Sequence, residues 1–236
     1  MVLLRRVLCP LVVAAAFAGI VSGPALGQAA YAETAPVSNP ADAQSAPDEA
    51  TASAIAQLYG HAVRVDGQTT AQTSVSAEPN GEFQYEADSL PVRVQQSGSW
   101  IDVDETLAVD ASGMLAPRAS AAPVRFSAGG SNVLDEVQTP AGDWITEKWP
   151  YGNLPVPTVT GSTATYVDVL PDVDLKLTAT VTGMSDVVVV KSSAAAASEA
   201  LSALRMSIGG AQSVTAAASD TMTAKTVDGS AVVADS

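Results

Sequence analysis

The chain has 236 residues, 25 acidic and 11 basic, and its formal net charge of −14 argues against nucleic acid as a partner. One cysteine and one histidine leave no material for a disulfide framework or a cysteine-histidine metal centre. Stability must come from packing, for which the roughly 180 residues behind the N-terminal segments are enough.

At the N-terminus, Arg5-Arg6, an apolar run from Val7 to Val21, the breaker Ser22-Gly23-Pro24 and the site Ala30-Tyr31-Ala32 read as an export signal peptide over residues 1–32, cut after Ala32. The apolar run is about 15 residues, short of the roughly 20 that a spanning helix needs. Cys9 precedes the hydrophobic run, where a lipid-modified cysteine should follow it, so the lipoprotein reading fails. Arg5-Arg6 admits twin-arginine export, but the flanking residues match it poorly and the general secretory route is preferred. Cleavage leaves nine basic against 25 acidic residues, a formal charge of −16, and removes the cysteine. Contact with a membrane is then expected only through the signal peptide before cleavage.

Residues 33–53 contain Pro36, Pro40 and Pro47, no basic residue, and Val37 as the only large aliphatic side chain. This predicts a disordered tether, because so little apolar surface cannot offset the entropy of ordering. Ala54 to Leu58 reads as a short helix or the edge of the fold. From Ala62 onward, turn signals recur at the spacing of an all-β domain: Asp66-Gly67, Asn80-Gly81, Ser97-Gly98, Ser112-Gly113, Gly129-Gly130, Ala141-Gly142, Gly152-Asn153, Gly161-Ser162 and Gly183. Val92–Gln96 with Trp100–Asp104 reads as one hairpin, and Thr106–Asp110 with Met114–Arg118 as a second. Val124–Ser127, Val133–Val137 and Asp143–Trp149 continue the meander.

The clearest pattern lies between Tyr166 and Lys191. From Asp172 to Val181 the residues alternate, with Val173, Leu175, Leu177, Ala179 and Val181 on the apolar face and Asp172, Asp174, Lys176, Thr178 and Thr180 on the polar one. Thr182-Gly183 supplies a turn, and Val187 to Val190 reads as a strand covered on both faces. This hairpin is predicted to be central. One helix is expected at Ala194–Leu204, capped by Ser192 or Ser193. Arg205–Gly209, Val214–Ala218, Met222–Lys225 and Ala231–Val233 read as closing strands. Ser236 follows an apolar strand without a capping turn, which predicts the front part of a longer polypeptide. The expected architecture is an antiparallel β-sandwich over 54–236 with one short helix, preceded by the signal peptide and the tether.

The stretch Ala164 to Leu175, with its Asp168-Val169-Leu170-Pro171-Asp172, and the run Val187 to Lys191 resemble a pattern near the N-termini of large secreted actinobacterial proteins. Trp100 to Asp104 and Leu115 to Ser120 look like earlier landmarks of that pattern. The resemblance covers roughly Ala62 to Gly210, and this chain has Asp172 where the pattern usually has glycine. Such proteins commonly continue into LamG-like, DNRLRE or RHS/YD-repeat modules, so the resemblance implies a β-rich module at the front of a secreted protein. The functions of those later modules cannot be carried onto named residues here.

His61 follows Tyr59-Gly60 at a strand entry, where a histidine is ordinarily structural, and the sequence contains no Gly-x-Ser-x-Gly elbow, His-Glu-x-x-His helix or phosphate-binding glycine loop. Asp168, Asp172 and Asp174, and separately Asp102, Asp104 and Glu105, offer oxygen ligands for calcium. The EF-hand order is absent, however, and Lys176 shares the polar face with Asp172 and Asp174, so a solvated strand face is preferred. Trp100, Trp144, Trp149 and Tyr151 are either core or a platform for sugar rings. Trp100 shares a face with Asp102 and Asp104, and Trp144 with Thr146 and Lys148; core is preferred. Leu154 to Thr158 lacks the order of a sortase signal and reads as a proline-stiffened connection.

The sequence therefore assigns no catalytic, cofactor-binding or metal-ligating residue. The leading expectation is a non-catalytic structural or adhesive module of a secreted or surface-associated bacterial protein, whose partner is a cell-surface protein or a neutral glycan. A carbohydrate-binding module using exposed tryptophans is the alternative. The N-terminal part of a secreted RHS-type toxin or hydrolase comes third.

Overall fold

A computed structural model describes residues 3–10, 39–202, 204–216 and 221–235. The chain is mainly β and falls into two compact units, 13–89 and 1–12 with 90–236. Strand β1 (Leu3–Pro10) belongs to the larger unit and occupies the start of the predicted leader. The rest of the leader, its cleavage site and residues 33–38 of the predicted tether lie outside the described residues.

The smaller unit corrects the sequence reading at residues 39–53. These residues form a 3-10 turn at Pro40–Asp42, strand β2 (Ser45–Ala46) and the first turns of helix α1 (Glu49–Tyr59). Asp48 caps α1, its Oδ1 accepting the Thr51 backbone N–H at 2.9 Å, and Gly60 ends it in the left-handed region at φ 76°. The fully buried positions of the helix are alanines, with Ile55 partly buried beside them. Ala52 and Ala56 are fully buried and let α1 approach closely to Val63, Val65 and Ala77, an economy that a count of large side chains does not detect. Strands β3 (Val63–Val65), β4 (Thr73–Ala77) and β5 (Phe83–Ala87) complete a sheet in the order β2-β3-β4-β5. This unit has its own core, so the stretch read as one domain over 54–236 is divided at Ser89/Leu90.

The larger unit is a β-sandwich. Strands β6 (Arg93–Gln96) and β7 (Ser99–Asp102) form the first predicted hairpin, closed by Ser97 and Gly98, both at positive φ as a two-residue hairpin turn requires. One layer is a six-stranded sheet of β8 (Asp104–Val109), β9 (Leu115–Ala119), β10 (Val124–Phe126), β11 (Val133–Gln138), β12 (Trp144–Lys148) and the later strand β17 (Ser207–Gly209).

The other layer holds β13 (Thr158–Thr160), β14 (Thr163–Leu170), β15 (Val173–Thr180) and β16 (Gly183–Val190), then β1, β20 (Ala231–Asp235), β19 (Met222–Lys225) and β18 (Ser213–Ala216). Both layers share one core. Phe126, Leu134, Val137 and Trp149 from the first meet Tyr166, Leu175, Leu177 and Met184 from the second. The Tyr166 hydroxyl donates to the Ser127 carbonyl at 2.7 Å and ties the layers together.

The central hairpin forms as expected, with Val173, Leu175, Leu177 and Ala179 buried and Asp174, Lys176, Thr178 and Thr180 on the other face. Its turn is Val181-Thr182 rather than Thr182-Gly183, so β16 begins earlier, at Gly183, and Ser185 and Asp186 are buried with it. Asp172 sits at φ 58° in the turn between β14 and β15, a left-handed position that aspartate tolerates better than most residues. The expected helix at Ala194–Leu204 is two short ones, α2 (Ser193–Ala196), capped by the Ser192 hydroxyl, and α3 (Glu199–Ser202). Ala197 and Ser198 break it, and the Ser198 hydroxyl accepts the Leu201 N–H. Among the described residues the longest helix is therefore α1, which contains the Ala54–Leu58 stretch read as a short helix or the edge of the fold.

Candidate functional site

The acidic clusters named from sequence are braces of the fold. In β14 the pairing slips between Tyr166 and Leu170, and Asp168 takes φ 53° inside that irregularity. The Asp168 N–H donates to Asp174 Oδ1 at 2.8 Å, and Lys191 Nζ bridges Asp168 at 2.5 Å and Asp174 at 2.7 Å. The bond from Lys191 holds the Asp174 carboxyl below its ordinary value, and the two aspartates raise the lysine in return. Asp172 contributes its backbone: its carbonyl accepts the Lys191 N–H at 2.8 Å. The second cluster is not brought together as a ligand set. Asp102 ends β7 opposite Arg93, and Asp104 opens β8 with its Oδ1 accepting the Thr106 N–H at 2.9 Å. Among the described residues no three His, Cys, Asp or Glu side chains converge in a geometry that holds a metal ion.

His61 bonds through Nε2 to the Ala43 carbonyl at 3.0 Å, joining the chain after α1 to the segment before it. Of the aromatics, Trp149 is in the core at 1% exposure, with its ring edge-on to Tyr151 at 5.7 Å. The Tyr151 hydroxyl donates to the Ala200 carbonyl at 2.7 Å. Trp100 lies on the separate β6-β7 hairpin. The four aromatics thus form no common platform, and Leu154, buried at 2%, anchors the proline-stiffened connection.

Trp144 lines a concave surface. Alternation along β12 turns Ile145 and Glu147 inward and Trp144 and Thr146 outward. A groove of about 340 Å³ runs past Trp144, Arg125, Asp110, Gln138, Ser120 and Pro123. The Arg125 guanidinium lies 4.0 Å over the indole and is held by Asp110 at 2.6 Å and Glu136 at 3.7 Å. Burial pushes the Asp110 carboxyl up, but bonds from Ser112 and Met114 and the Arg125 charge overcome this, leaving it below its ordinary value. Most of the polar groups here serve the fold: Asp110 closes the β8-β9 turn, the Ser120 hydroxyl donates to the Ala122 carbonyl, and the Gln138 amide donates to the Gly142 carbonyl.

A buried group of carboxyls was missed in the sequence. Asp135 on β11 stands opposite Glu147 on β12, and Asp186 on β16 completes the trio from the other layer; all three are nearly inaccessible. Glu147 sits between Ile145 and Trp149 at the spacing of the inward face, and that position was the available signal. Asp135 and Glu147 border an otherwise apolar cavity of about 20 Å³ together with Ile145, Ile208, Met222 and Val232, room for one water-sized molecule.

Desolvation, then the charges of Glu147, Asp186 and Glu136, raise the Asp135 carboxyl well above its ordinary value, and its Oδ2 has no hydrogen-bond partner among the described residues. Burial, with a smaller push from Asp135, raises the Tyr166 hydroxyl too. A carboxyl raised on folding contributes stability that is fully present below its unfolded value, about 3.9, and is lost as pH rises through the folded one. Asp135→Asn should therefore raise the urea midpoint at neutral pH, with a gain over the parent protein that shrinks toward about pH 4. A gain that does not vary with pH would contradict the assignment.

No family model, no curated protein and no solved structure matches this chain.

Proposed function

We propose that this chain is a non-catalytic structural or adhesive module of a secreted or surface-associated bacterial protein. The observation that carries the reading is how its exposed and half-buried acids are used. Asp48 caps a helix, Asp110 and Asp228 close turns, Asp104 fixes a strand start, and Asp168 with Asp174 and Lys191 braces a strand irregularity. These are scaffold duties, and a fold by itself confers no chemistry. The resemblance of Ala164 to Leu175 to the front of large secreted actinobacterial proteins supports the same context. With a formal charge of −16 after leader removal, a neutral glycan or a protein suits the surface better than anionic wall polymers or nucleic acid. No helix among the described residues is long and apolar enough to cross a membrane.

Export by the N-terminal leader is part of the proposal. The leader and strand β1 make opposite demands on Leu3–Pro10: cleavage after Ala32 removes the strand that pairs with β16 and β20.

The second reading, carbohydrate binding, is favoured by Trp144 in its groove. A glycan array with the secreted protein and its Trp144→Ala variant separates the two. The module reading expects no saturable binding that depends on Trp144. Binding lost on substitution, in a protein that still folds, would transfer the conclusion to a carbohydrate-binding module.

A further inference from the structure

The edge strand of the smaller unit carries more than a closing strand needs. Strand β5 ends the sheet β2-β3-β4-β5, and all five of its residues are exposed. Its register with β4 pairs Phe83 with Ala77, Tyr85 with Val75 and Ala87 with Thr73. Ala77 in turn pairs with Val63, and both are buried against α1. Phe83 and Tyr85 therefore share the helix-covered face, but α1 packs on β2, β3 and β4 and leaves Phe83 47% and Tyr85 66% exposed.

The backbone of the same residues points to the free edge. The Glu78 N–H donates to the Glu82 carbonyl, and the Asp88 N–H donates to the Gln72 carbonyl. In an antiparallel ladder bonded pairs alternate, so Glu82, Gln84, Glu86 and Asp88 direct their backbone groups toward β4. Phe83, Tyr85 and Ala87 present theirs outward. Natural sheet edges are usually blunted by lysine, proline or an irregularity, and β5 contains none of these.

The charge around this edge has one sign. Between residues 39 and 89 the sequence has eight acids, Glu82, Glu86 and Asp88 among them, and Arg64 as its single basic residue. We propose that β5 is a docking edge that adds an extended, basic segment of a partner protein as a fifth strand. The partner's alternate apolar side chains would lie beside Phe83 and Tyr85, and its lysines or arginines on the opposite face beside Glu82, Glu86 and Asp88. A second copy of this chain is disfavoured as occupant, because β5 against β5 would set these acids against each other.

The inference deepens the adhesive reading and rests on it. The test uses the secreted chain and two labelled heptapeptides, one alternating valine and lysine and the other valine and glutamate, followed by fluorescence anisotropy. The lysine peptide should bind at least about tenfold more tightly than the glutamate peptide. Tyr85→Pro removes an outward N–H that no strand of the sheet uses, and should weaken binding by about tenfold or more. Tyr85→Ser, which keeps the backbone donor, should weaken it less, and it serves alone if the proline variant fails to fold.

Equal binding of the two peptides, or an affinity unchanged by both substitutions, would overturn the proposal and leave the module reading intact. Self-association in sedimentation that disappears in either variant would also overturn it, by assigning the edge to a second copy. A catalytic activity found in the chain would instead refute the module reading.

Discussion

Trp149→Ala is expected to destabilise the larger unit by about 3–5 kcal/mol, the usual cost of emptying a buried tryptophan site. Trp149 is 1% exposed, lies on the same face of its segment as Ile145 and Glu147, and fills the core shared by the two layers. Its edge-on contact with Tyr151 at 5.7 Å is lost as well, a pair worth about 0.5–1.5 kcal/mol beyond the buried area. Domains of this size are stable by only about 5–15 kcal/mol, so the variant should lose a large share of its stability. Urea unfolding decides it. A loss below about 1 kcal/mol would contradict the core assignment for this tryptophan.

Leu175→Ala should cost about 2–5 kcal/mol and sharply reduce accumulation of the secreted protein. Leu175 is fully buried on β15, between Tyr166 of β14 and Val188 of β16, so both neighbouring strands lose contacts. The cavity lies mid-sheet, where flanking strands cannot collapse into it without breaking their ladder. Asp102→Asn is the matched control. Asp102 is exposed at a strand end, and its substitution should change the urea midpoint little. Equal accumulation of Leu175→Ala and Asp102→Asn would contradict the placement of β15 at the centre of the sandwich.

The elements that were legible in the sequence are those whose burial follows a simple period. The polar and apolar alternation of Val173 to Thr180 gave both strand and face, because one side of β15 meets the core and the other does not. Ser97-Gly98 gave its hairpin because only a few residue types suit two consecutive positive φ values. Along β12 the same alternation separates inward Glu147 from outward Trp144 and Thr146, yet Glu147 was not recognised as a core position because its charge argues for solvent. The start of β16 was hidden for a related reason: Ser185 and Asp186 are buried polar residues and resemble a loop.

Helix α1 was legible only over Ala54 to Leu58, as a short helix or the edge of the fold, and its first turns were read as tether, because close packing by Ala52 and Ala56 does the work that larger side chains do elsewhere. The braces at Asp168 and Asp174 depend on Lys191, 23 and 17 residues away, a pairing that only the register of three strands creates. The exposure of Phe83 and Tyr85 likewise depends on how far α1 reaches across the sheet, which no local pattern encodes.

The most direct test of an exported module is the intact mass and N-terminal sequence of the product recovered outside the cell. The account predicts that this product begins at Glu33 and is folded without Leu3–Pro10. A product that keeps Met1 to Ala32 in a membrane fraction, or an exported chain that folds only when Leu3–Pro10 is present, would contradict it.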